Sequence, residues 1–175
     1  MLVRILRTAL VSVATLVLLA ITLVYCSCRP HTQDVKESTL IREFFQTHDS
    51  AQRIQEFRKH NLDEQYDLYL WGCQVIHPPE LCLARPLAEN GPAVVPFLTR
   101  KLESARDEDT VRDIALVLSD VAELKLYDFS KNPKLMELLD RKAHAMQGSC
   151  KATTLESIWQ IRAAGGGKVA PALLF

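Results

Sequence analysis

GPAVVPFLTRKLESARDEDTVRDIALVLSDVAEL, residues 91–124, is the stretch that decides the fold. Val94, Val95, Phe97, Leu98 and Leu102 recur at helical spacing, and Ser104 to Asp109 is a charged turn. Val111, Ile114, Ala115, Leu118 and Ala122 then mark a second helix with one apolar face. Asp107, Glu108 and Asp109 stand where the second helix begins, and its dipole favours acids there. Two antiparallel helices of this kind cannot bury their own apolar faces. Neighbours of the same type are therefore expected on both sides.

The neighbouring sequence supplies them. Leu40, Ile41, Phe44 and Phe45 give an amphipathic helix within Glu37–His48. Asp49 and then Asn61 look like helix N-caps, each followed three residues on by Gln52 or Glu64. The second cap opens a helix with Leu62, Tyr66, Tyr69, Leu70 and Cys73 on one face, and Trp71 is expected to pack off its centre. His77-Pro78-Pro79 ends that helix, because proline lacks the N–H and restricts the residue before it. A further helix is expected from Pro79 to Asn90-Gly91, kinked or shortened by Pro86. After the quoted stretch, Pro133 begins a helix with Leu135, Met136, Leu138 and Leu139. Gly148-Ser149 leads into a last one carrying Leu155, Ile158, Trp159 and Ile161.

The pattern repeats. Glu89 to Leu98 aligns with Ala164 to Leu173, each with glycine, a valine, and a proline two residues before leucine. Pro133 and Leu135 stand in the same relation between them. Prolines 96, 133 and 171 are 37 and 38 residues apart, the length of one helical hairpin. The segment 81–175 resembles HEAT-type or armadillo-like repeats: an early proline, a charged turn with Asp109, then Val111-Arg112 and Ala115. The resemblance is carried mainly by 91–124; Lys151 to Arg162 lacks the Asp/Val-Arg signature. It implies an all-α fold, a short α-solenoid of antiparallel hairpins. It also implies that Asp109 and Arg112 brace neighbouring repeats. The last copy breaks off after its first turn, leaving Ala170 to Phe175 as a docked tail or an apolar end open to a partner.

The chain begins differently. Arg4 and Arg7 precede Thr8 to Cys26, TALVSVATLVLLAITLVYC, an uncharged run of about the 20 residues that span a bilayer as a helix. The basic flank favours a cytoplasmic N-terminus, with the rest of the chain outside. A cleaved signal peptide is the competing reading, since export follows from either. Leu23-Val24-Tyr25-Cys26 only loosely resembles a lipoprotein box, because Tyr25 stands where a small residue belongs. Residues 1–28 are thus read as anchor or signal, 29–36 as linker and 37–175 as the helical-repeat domain.

Composition narrows the function. The 175 residues carry 21 basic and 21 acidic side chains. Removing the first 26 residues leaves 19 and 21, without the strong basic field that nucleic-acid binding uses. No G-x-S-x-G, S-x-x-K or H-E-x-x-H motif is present, so no catalytic role is expected. Gly165-Gly166-Gly167 has no P-loop lysine and reads as a turn. The acids of Arg106 to Asp113 alternate with arginines and read as a solvated face, the exposed turn being a place to look for contacts. No cofactor is expected. A metal site is also not expected, since the histidines are scattered and C-x-x-C is absent. Five cysteines occur, and Cys73 with Cys82 is the pair a turn at Pro78-Pro79 would bring together as a disulfide; the alternative is buried free thiols.

The expectation is a membrane-anchored, extracytoplasmic module that binds another protein and touches the bilayer through residues 8–26. An exported inhibitor or immunity-type protein is the alternative. A thiol-redox protein using Cys73, Cys82 or Cys150 is a third.

Overall fold

In the computed structural model the described residues are 38–165, apart from 48 and 78. All of them lie in the compact unit from Gln33 to Phe175. The apolar run 8–26, Cys26, Cys28 and the tail 166–175 lie outside the described residues. No helix among the described residues is long and apolar enough to cross a membrane.

The described residues are all-α, with no strand among them. Eight helices follow one another: α1 Thr39–Thr47, α2 Ser50–Phe57, α3 Leu62–Gln74, α4 Ala84–Ala88, α5 Val94–Ser104, α6 Glu108–Glu123, α7 Pro133–Ala145 and α8 Cys150–Ala164. Their starts are chemically marked. Asp49 accepts hydrogen bonds from the Ala51 and Gln52 amides ahead of α2. Asn61 and Glu64 form a reciprocal capping box at α3. Asp107 accepts from the Thr110 amide at 2.7 Å to start α6, and Asn132 from Leu135 to start α7.

The boundary expected at Pro79 falls later. Residues 81–83 form a 3-10 turn, and α4 covers only Ala84–Ala88. Before that, the Glu80 amide donates to the Gly72 carbonyl at 2.8 Å, folding this segment back on α3. Pro86 is the third residue of α4, where its missing N–H leaves no intrahelical bond unmade. Pro96 holds the same place in α5, after a 3-10 turn over Gly91–Ala93. That turn starts with Gly91 at φ +65°, a conformation glycine adopts without steric cost.

Helix α6 is the centre of the packing. It contacts α3, α4, α5, α7 and α8, and α8 most extensively. The expected face Val111, Ile114, Ala115, Leu118 and Ala122 is buried throughout, and Val117 and Val121 are fully buried as well. An apolar surface on more than one side is what a helix needs when it packs against several neighbours. Helix α3 has the same character: Leu68, Tyr69 and Leu70 are consecutive and all buried. The sequence reading placed a single face there and missed Leu68. Trp71 packs half-buried against the core.

Trp159 corrects another expectation. Thr154, Ser157, Ile158 and Ile161 form the buried side of α8, and Trp159 is 42% exposed. Successive helix residues are rotated by about 100°, and with Ser157 and Ile158 turned to the core, Trp159 falls on the open side of α8. The buried Thr154 and Ser157 hydroxyls donate to carbonyls four residues earlier, Cys150 and Thr153, which lets polar residues pass through that face.

Candidate functional site

The most developed polar constellation lies where α3, α6 and α8 meet. Asp113 on α6 is completely buried. Its Oδ2 accepts from Gln74 Nε2 on α3 at 3.0 Å, and its Oδ1 from the Arg112 guanidinium at 2.7–2.8 Å. Tyr69 Oη on α3 donates to the Asp113 carbonyl at 3.0 Å. Arg112 reaches on to Asp109 Oδ1 at 2.7 Å and to Cys150 Sγ, the first residue of α8, at 3.2 Å. The Cys150 thiol donates to Asp109 at 3.3 Å. Three helices distant in sequence are thus tied by one set of charge-assisted bonds.

Charge within the cluster is set by burial and pairing. Burial pushes the Asp113 carboxyl above its ordinary range, and Arg112 and Gln74 oppose that shift. Burial alone would lower the Arg112 guanidinium, but Asp113, Cys150 and Asp109 hold it above its usual value. Asp109 and Arg112, which the resemblance implies brace neighbouring repeats, pair with each other within α6. Arg112 and Asp109 lie on the same helix, and their link to the next hairpin runs through Cys150.

The turn at 106–109 is not the free charged face that the sequence suggested. Arg106 is exposed. Asp107 caps α6, and Asp109 is engaged as above. Glu108 grips the connector ahead of α8, accepting from the Gln147 amide at 2.7 Å and the Gly148 amide at 2.8 Å. On the other side of the hairpin, Lys142 of α7 donates to the Ala105 carbonyl at the end of α5 at 2.6 Å. That carbonyl end favours a cation. Asp107, Glu108, Asp109 and Asp113 are accordingly engaged in capping α6 and in contacts between helices. The spacing of charges on paper gave no sign of it, because the partners stand about 40 residues away.

Cys73 is buried, Cys82 exposed and Cys150 half-buried, and all three are free cysteines. Burial pushes Cys73 up to about 12. Burial raises Cys82 too, helped by its hydrogen bond to Glu80, and raises Cys150, helped by Asp109. A thiol acts as nucleophile through its thiolate, and each of these surroundings disfavours that form. Among the described residues no group of three or more His, Cys, Asp or Glu side chains could hold a metal ion.

One pocket lies at the far end of the α6–α8 pair. Its volume is about 340 Å³, and it is framed by Ala122, the connector residues Lys125, Tyr127, Asp128 and Phe129, and Ala164-Gly165 at the end of α8. Lys125 sits at φ +55°. The Lys125 and Leu126 amides donate back to Ala122 and Val121 at 3.0 and 3.1 Å. This is a Schellman end with lysine where glycine is usual.

No family model, curated protein or solved structure matches the chain.

Proposed function

We propose that the chain is a membrane-anchored, extracytoplasmic helical-repeat module whose stacked hairpins bind another protein. One observation supports the stacked arrangement most directly. Nine side-chain hydrogen bonds join positions 36 to 41 apart in sequence. The proline spacing of 37 and 38 falls inside that range. Each such bond links a residue to the neighbourhood of its equivalent one hairpin later, as nearest-neighbour interfaces in a solenoid do. Rows of hairpins offer extended surfaces suited to protein partners. The basic-flanked apolar run 8–26 supports anchoring and export.

Cys82 gives a direct test of location, since it is exposed whereas Cys73 is buried and Cys150 half-buried. In intact cells producing the full chain with Cys26 and Cys28 changed to serine, a membrane-impermeant maleimide should label Cys82. Labelling seen only after lysis would overturn the export half. For the binding half, crosslinking in those cells should attach the parent chain to a discrete protein. The unfolded Ala115→Asp variant should lose that product. The same products from both chains would count against a folded binding surface.

A further inference from the structure

We infer that the surface between α3 and α5, framed by the rings of Tyr66 and Phe97 and by Asp63, Asp67 and Asp107, is a recognition site for a cationic side chain of a protein partner, which Lys101 fills while no partner is bound. The inference rests on the protein-binding reading above and names the chemistry of the contact. Tyr66 and Phe97 meet edge to face, with 5.6 Å between centroids and 80° between planes. The Lys101 ammonium lies 4.9 Å from the Tyr66 ring centre and 5.1 Å from that of Phe97, within cation–π range of both. Its Nζ also meets Asp63 Oδ1 at 3.1 Å. Two rings and a carboxylate around one ammonium make a cage, and its occupant here belongs to the same chain.

Lys101 leaves much of the site unanswered. Asp67, one helical turn after Asp63, is exposed and makes no ion pair among the described residues, although the Lys101 charge reaches it. Asp107 Oδ1 caps α6, but its Oδ2 is buried with no hydrogen-bond partner. Tyr66 is only 5% exposed, and its hydroxyl has no hydrogen-bond partner among the described residues. Burial raises the Tyr66 phenol, and Asp107, Asp67 and Asp113 raise it further, so the hydroxyl stands in a negative field. Buried polar groups left without partners call for an explanation. A cation bearing N–H groups brings donors for the carboxylates, charge for the field and a face for the rings. An anion would meet three carboxylates. The resident lysine is also cheap to displace. Its side chain is 33% exposed and that of Asp63 73%, and pairs this open to water are worth little.

The test uses the full chain in detergent, its lysines dimethylated with isotope-labelled formaldehyde so that they keep their charge. The Lys101 methyl signal, identified by its loss in Lys101→Arg, should lie upfield of the other lysines because of the two rings. N-acetylarginine amide should carry it toward the position of exposed lysines, and the neutral N-acetylglutamine amide should leave it in place. A signal that neither compound moves, or that both move alike, overturns the proposal. Lys101→Met should tighten binding of the arginine compound about fivefold, read from the compound's own shifts, because the internal competitor is gone. Arg100→Met removes the same charge from the neighbouring position of α5 and should not. Equal tightening in both would reduce the effect to general electrostatics and overturn the proposal. In the cell crosslinking above, Asp63→Asn with Asp67→Asn should cut the product about fivefold in a chain that melts like the parent. An undiminished product would show that the partner binds elsewhere and removes only this inference. Absence of any product from the parent would remove the reading beneath it as well.

Discussion

Asp113 shows how one residue can carry information that its own neighbourhood in the sequence conceals. In a run of alternating charges it reads as solvated, yet it is completely buried between Gln74 and Arg112. Asp113→Ala would leave Arg112 with Asp109 and Cys150 and the Gln74 amide without that acceptor. Breaking a buried pair from one side costs about 3–5 kcal/mol, and denaturant unfolding would measure it. The pH dependence has a definite sign. Burial raises the Asp113 carboxyl, so the native state holds its proton more tightly than the unfolded chain does. Its stabilising contribution is present below the ordinary value of 3.8 and is lost as pH rises through the raised native value. The melting temperature of the parent, minus that of Asp113→Asn, should therefore grow as pH falls from neutrality. A difference that shrinks would reverse the assignment.

At the scale of elements, apolar periodicity was enough to locate α5, α6 and α7. It failed where local sequence did not decide the matter. Helix α4 starts at Ala84 rather than near Pro79 because residues 79–80 are drawn back against α3. The contact that draws them depends on Gly72. A Cβ there would lie 3.1 Å from Glu80 Cβ and 3.3 Å from Phe45 Cζ. Alanine is ordinarily better than glycine inside a helix by about 1 kcal/mol. Here the Glu80 backbone is pinned to Gly72 and its carboxylate is paired with Arg53, so it cannot retreat cheaply. Gly72→Ala should therefore be net destabilising, by roughly 1–2 kcal/mol, as overpacked sites are. A higher midpoint in chemical denaturation would show that Phe45 yields instead. Ala115 is a stricter position. It is fully buried on α6, and Ala115→Asp would place an unpaired charge in the core. Its cost of several kcal/mol should abolish the cooperative melt seen by circular dichroism.

The whole molecule was legible in one respect and hidden in another. The all-α character of the described residues followed from the apolar periodicity of the sequence. The long-range side-chain bonds between helices did not follow. Glu108 to Gln147 and Gly148, Lys142 to Ala105, and Arg112 to Cys150 join residues whose types are unremarkable alone. Only their recurrence at one separation gives them meaning, and a single chain shows that only once it is folded. The outward Trp159 has the same origin: a helix end with apolar residues on several sides does not declare its inner face.

The range of those joints bears on how the chain is made. The side-chain bonds described above reach at most 44 residues along the sequence, the span from Tyr69 to Asp113. A ribosome adds about 5–20 residues each second, so one such span takes about 2–9 s to appear. Helices and small loops form in about a microsecond or less. Each helix therefore forms before the segment that packs on it is synthesised, and none of these bonds must wait for the far end of the chain. Under the export proposed above, N-terminus first, that order would let assembly proceed from α1 toward α8 as the chain arrives. Little apolar surface is left uncovered at any moment except at the growing edge.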